Sequence, residues 1–111
     1  MNTKTIQLAH GFVDAKGDTH KDVTLRVPKM RDEATAELAA TKAGFGSQSS
    51  YFACAMIAQC VTQWIGIASV TVDHVLDLYR SDVLLLQNAL AELEAQDTVV
   101  QPSKNSPSGE R

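Results

Sequence analysis

The stretch from Ala43 to Val72 contains no Asp, Glu, Lys or Arg, and it limits the possible folds more than any other feature of the sequence. Such a stretch is typical of a segment buried in the protein's own core, in a complex or in a membrane. Gln, Thr and Ser interrupt it and few basic residues flank it, which argues against a membrane span. Two interpretations remain open: a central helix covered by its own fold, and a helix with one face that is buried only when a partner protein binds.

Large apolar side chains within this stretch favour contact with another protein. Aromatic and methionine side chains bury much area at modest entropic cost and are enriched at interfaces. When no partner protein is bound, the same face is expected to cause self-association. The residues that we expect to be part core and part docking surface are Tyr51, Phe52, Met56, Trp64, Ile65 and Ile67.

Residues 3–27 predict a β-hairpin. Apolar and polar residues alternate on both sides of a short polar loop that contains Gly17. This period of two is typical of half-buried strands, and a short Gly-containing connection is typical of a hairpin. Pro28 ends the second strand because proline cannot donate a backbone hydrogen bond.

Residues 29–95 predict a small helical bundle. The expected helices are Lys29–Ala43, Ser49–Ile65, a short helix capped by Thr71, and Asp82 to about Ala95. In the first helix, Met30, Ala34 and Leu38 recur at a spacing of four and predict its apolar face.

The remaining residues, 97–111, are polar and rich in Pro and Ser, and they predict a disordered tail. The sequence therefore predicts one α+β domain over residues 1–96: an N-terminal β-hairpin, then a small helical bundle, then the tail.

The charge distribution and the scarcity of ligand motifs exclude several functions. Net charge is −3, and the helical half carries few basic residues, whereas DNA and RNA binders need a positive face. Cys54 and Cys60 point to different sides of the expected helix, so we expect buried free thiols. His10 and His20 without a third ligand make a poor zinc site. We therefore expect that the protein has no enzymatic activity and binds no metal, cofactor or nucleic acid.

Four stretches, in order along the chain, carry a resemblance to a known family. Lys21–Pro28 followed by Arg31-Asp32 resembles a strand that turns directly into a helix with an acidic first turn. Ile57–Gly66 resembles a central helix that ends in Gly, and Thr71–Leu78 resembles a capped helix. Tyr79–Leu90 resembles an Arg-Asp corner before a Leu-rich helix. Together the stretches are similar to the tail assembly chaperones of Mu-like and related long-tailed phages.

The resemblance implies a protein that binds the long helical tape measure protein and keeps it soluble during tail assembly, without catalysis. It implies action in the cytoplasm of the bacterial host and absence from the finished virion. The start of the sequence predicts no secretory signal, in agreement with that location. The alternative is a structural minor tail or connector protein of the virion with a similar layout.

Overall fold

The computed structural model describes residues 2–100 and has a three-stranded antiparallel sheet followed by helices. The strands are β1 (Thr3–Val13), β2 (Thr19–Arg26) and β3 (Val61–Trp64), in the order β1-β2-β3. The helices are α1 (Met30–Lys42), α2 (Ser50–Cys60), α3 (Val72–Leu76) and α4 (Arg80–Val100). The predicted α+β class and the N-terminal hairpin are confirmed.

The third strand corrects the prediction of a helix that continues from Ser49 to Ile65. Helix α2 ends at Cys60, and Val61 already has extended backbone angles. The segment then pairs with β2, with Trp64 opposite Val23. Two causes favour a strand here: β-branched and aromatic residues pack well on a sheet, and pairing satisfies the second edge of β2.

The apolar core of the described residues lies where the sheet meets α2, α3 and α4. Its larger members are Leu8, Val23, Leu25, Ile57, Trp64, Val75, Leu78, Leu86, Leu90 and Leu93. Cys54 and Cys60 are buried free thiols, as predicted. Burial raises the pKa of the Cys60 thiol to about 11, so it remains protonated and packs as a small apolar group.

The sequence predicted the wrong buried face for helix α1. The face that packs against the rest of the protein is the opposite one. Met30 and Leu38 are 73% and 57% exposed, and Ala34 is also exposed. Ala36 and Ala40 are fully buried instead, on a helix whose main neighbour is α2. Small side chains allow the close approach of two helices, so the alanines form the contact and the larger residues lie outside.

The rotation of α1 is fixed by an ion pair between Arg26 at the end of β2 and the buried Asp32 in the first turn of the helix. The two guanidinium nitrogens donate to the two carboxylate oxygens at 2.7 and 2.8 Å. Asp32 also accepts from the backbone N–H of Lys29, which caps the helix, and Arg26 donates to the carbonyl of Gln59. One bidentate pair thus joins β2, α1 and the end of α2.

We expect the substitution Asp32→Asn to lower the free energy of unfolding at pH 7 by about 2 kcal/mol, discounted because Arg26 is partly exposed. Hydrogen bonds from Arg26 lower the pKa of Asp32, although burial opposes them. The carboxylate therefore contributes stability above its unfolded pKa of about 3.9, and this stability is lost as pH falls through the lower folded pKa. Urea unfolding between pH 7 and 2 should show a shallower acid loss in the variant.

The matched control for this prediction is Glu33→Gln, which removes an exposed carboxylate from the same helical turn. It should change stability by less than about 0.5 kcal/mol and leave the acid loss intact. Equal acid profiles for wild type and Asp32→Asn would contradict the assignment.

A second buried carboxylate joins α4 to β1. The Asp82 side chain is fully buried and accepts hydrogen bonds from the backbone N–H groups of Ala9, His10 and Gly11, at 2.8, 3.0 and 2.9 Å. These residues form the bulge where β1 loses its register with β2. Gly11 has a φ of +81°, and a Cβ there would lie 2.8 Å from the carbonyl oxygen of His20, so the bulge requires glycine.

Helix α4 extends past the predicted end at about Ala95. It includes residues 97–100, which the sequence analysis assigned to the tail. The first helix-breaking residue after Ala95 is Pro102, which explains why the helix continues. The rest of the predicted tail, residues 101–111, lies outside the described residues.

Candidate protein-binding site

A groove of about 400 Å³ runs between α2 and α4. The α2 wall carries Phe52 and Met56, which lie one helical turn apart and are both half-buried. Ile57 and Leu90 belong to the buried core and also line the groove, so its floor is continuous with the core. The groove is therefore a place where apolar surface reaches solvent.

Local capping positions the α2 wall. The Ser49 hydroxyl accepts a hydrogen bond from the backbone N–H of Phe52 at 3.2 Å, which starts α2 at Ser50. Serine is among the residues that most often cap the N-terminus of a helix. This cap places Phe52 in the first turn, where its ring faces the groove rather than the core.

The groove is rimmed mainly by neutral polar and small side chains. Gln48 and Ser49 lie at one side, Gln87 and Ala91 on α4 at the other, and Glu94 supplies negative charge. An apolar floor with a polar rim is the usual anatomy of a protein-binding surface. Its shape, a channel between two helices, accommodates the apolar face of a third helix.

The six residues that the sequence predicted for contacts lie in four different places. Phe52 and Met56 line the groove. The half-buried Tyr51 lies beside it at the start of α2 and stacks on the exposed Phe45, with ring centroids 5.2 Å apart. Trp64 is only 2% exposed and belongs to the core.

Ile65 and Ile67 lie in the turn after β3, away from the groove. Ile65 is 57% exposed, whereas Ile67 packs against the core, and both line a second hollow of about 390 Å³. Between them Gly66 has a φ of +92° and contacts the His20 ring so closely that any Cβ would overlap it. The turn is thus fixed by packing against the hairpin.

The sequence analysis missed the α4 wall of the groove. Gln87, Ala91 and Glu94 follow the helical spacing of i, i+4 and i+7, beside the core residues Leu86, Leu90 and Leu93. This spacing is a signal that could have shown the wall. The leucines of α4 face the core, whereas this neighbouring stripe faces the groove and a partner.

The described residues bring together no group of three His, Cys, Asp or Glu side chains that could hold a metal ion. His20 bonds to Asp14 at 2.9 Å, while His10 stacks on Tyr79 with centroids 4.2 Å apart. Over residues 2–100, no helix has the length and apolar character needed to cross a membrane. Comparisons with protein-family models, curated proteins and solved structures return no match for the chain.

Proposed function

We propose that this protein is a tail assembly chaperone of a long-tailed phage. It binds the tape measure protein through the groove between α2 and α4, keeps it soluble in the host cytoplasm and performs no catalysis. The observation that carries the proposal is the groove between two helices with its apolar floor and mainly uncharged rim, which fits an amphipathic helix. A tape measure protein is a long helical chain whose apolar stripes would aggregate if they stayed exposed.

Groove chemistry favours a particular kind of client helix. The half-buried Phe52 and Met56 contact apolar side chains at i and i+3 or i+4 positions of a helix. The acidic balance of residues 51–96 favours a helix with Lys or Arg beside its apolar stripe. The phage resemblance and this groove support the same class of client.

The residues that carry the resemblance also have structural roles. Arg26 and Asp32 join the hairpin to the first helix, and Asp82 in the Arg-Asp corner joins α4 to the bulge of β1. These side chains are used within the fold, so they are not available for a client. Client contact is left to the exposed groove residues.

We expect Met56→Lys and Ala91→Lys each to weaken client binding by about tenfold or more, because each places a charge in an apolar groove. The client is the tape measure protein encoded in the same phage genome, produced together with the chaperone. Affinity would be measured by titration of labelled helical fragments, after circular dichroism shows that each variant is folded.

The control variant is Leu85→Lys, which makes a similar change at a partly exposed position of α4 outside the groove. It should bind the client as wild type does. Equal binding by all four proteins, or no binding by wild type, would contradict the proposal. Mass spectrometry of purified particles gives a second test, because a chaperone is absent from them and a minor tail or connector protein is present.

A further inference from the structure

Helix α1 presents an apolar stripe to solvent. Met30, Ala34 and Leu38 follow one another at a spacing of four along its outer side, and all three are exposed. The opposite side, with Ala36 and Ala40, is already used for packing within the fold. The stripe is therefore a second apolar surface on an element that does not line the groove.

Charges on α1 are separated to the two edges of this stripe. At about 100° per residue, Glu33 and Glu37 lie on one edge, and Arg31 and Lys42 lie on the other. Glu33 and Glu37 are also four residues apart, so they repel each other within the helix. Over residues 2–97, none of these four side chains takes part in an ion pair or hydrogen bond within the chain. A partner with the opposite order of charges would satisfy both edges.

We propose that the partner of this stripe is a second copy of the chain, with the two α1 helices side by side and parallel about a twofold axis. In a parallel pair the acidic edge of one helix faces the basic edge of the other. Glu37 then lies opposite Lys42 of the second copy, five residues further on, which is the spacing of ion pairs across a parallel coiled coil. In an antiparallel pair like edges would meet and repel.

The contact is small, so the dimer is weak. Three apolar side chains on each helix bury less than the roughly 800 Å² per partner of a standard stable complex. We therefore expect a dissociation constant between about 10 µM and 1 mM. The proposal goes beyond the client-binding function and does not depend on it, because α1 does not line the groove.

Sedimentation equilibrium of the full chain alone, from about 10 µM to 1 mM, tests the proposal. Wild type should pass from monomer to dimer over this range. Glu37→Lys and Lys42→Glu should each weaken the dimer by about tenfold, because two attractive pairs become repulsive. The double variant Glu37→Lys/Lys42→Glu restores opposite charges and should return to within about threefold of wild type.

The control is Asp77→Lys, which makes the same charge change as Glu37→Lys at an exposed position after α3. It should leave the dimer unchanged. A wild type that remains monomeric throughout would overturn the proposal, as would a dimer that ignores both single reversals. A mixture of Glu37→Lys and wild type could also associate more strongly than either protein alone. That result would show an antiparallel pair of helices and would overturn the proposal.

Discussion

Replacing Asp82 with alanine is expected to lower the free energy of unfolding by about 3–5 kcal/mol. The carboxylate is fully buried and accepts three backbone hydrogen bonds from the bulge of β1. Alanine leaves those three N–H groups without their charged acceptor and leaves a hole between α4 and the sheet. Because a domain of this size is stabilised by only about 5–15 kcal/mol, the loss is a large part of the total. Urea unfolding followed by circular dichroism measures it.

Asp77→Ala provides the comparison for this prediction, since it removes an exposed carboxylate from the segment just before α4. It should change stability by less than about 0.5 kcal/mol. If Asp82→Ala leaves too little folded protein to titrate, Asp82→Asn serves instead, because an amide keeps one acceptor oxygen and should lose less. A loss below about 1 kcal/mol in Asp82→Ala would mean that the carboxylate does not hold the bulge.

The second large effect is expected at Trp64, where substitution by alanine should cost about 3–5 kcal/mol. The side chain is 2% exposed, its ring meets Phe12 edge-on, and its indole N–H donates to the backbone carbonyl of His20 at 3.1 Å. Trp64→Phe keeps most of the ring but loses the donor, so we expect an intermediate loss of about 1–2 kcal/mol. Both variants lack the only tryptophan of the sequence, so unfolding should be followed by circular dichroism rather than by indole fluorescence.

The neighbouring Ile65 is the control, because its side chain is more than half exposed. It shows whether the loss of stability at Trp64 comes from the burial of that side chain or only from its place in the chain. Ile65→Ala should cost no more than about 0.5 kcal/mol. A Trp64→Ala protein with wild-type stability that no longer binds a client would contradict the core assignment and would place Trp64 in the docking surface.

The hairpin could be predicted from the sequence because its strands bury one face and expose the other, which leaves a period of two around Leu8, Val23 and Leu25. The face of α1 could not be predicted in the same way. Its rotation depends on Arg26 meeting Asp32 and on small alanines meeting α2, and neither contact is visible in helical periodicity. The longest apolar side chains then lie outside.

The third strand and the groove show two further limits. Val61–Trp64 has strand-forming residues, but the preceding helical segment continues into it without a proline or charge to mark the boundary. For the groove, composition indicated Phe52 and Met56, because aromatic and methionine residues are typical of interfaces. Gln87 and Ala91 were missed because the helical stripe that they share with Glu94 carries no large apolar residue that would indicate a contact surface.

The bond between Asp82 and the bulge also has a consequence for the timing of synthesis. Donor and acceptor are 73 residues apart in the chain for the Ala9 bond. At a translation rate of about 5–20 residues per second, Ala9 is synthesised roughly 4–15 s before Asp82. A hairpin forms within microseconds. Until Asp82 has been made, the N–H groups of the bulge therefore have only water as a hydrogen-bond partner. The contact between Asp82 and the bulge is therefore among the last to form during synthesis, after α4 has begun to be made.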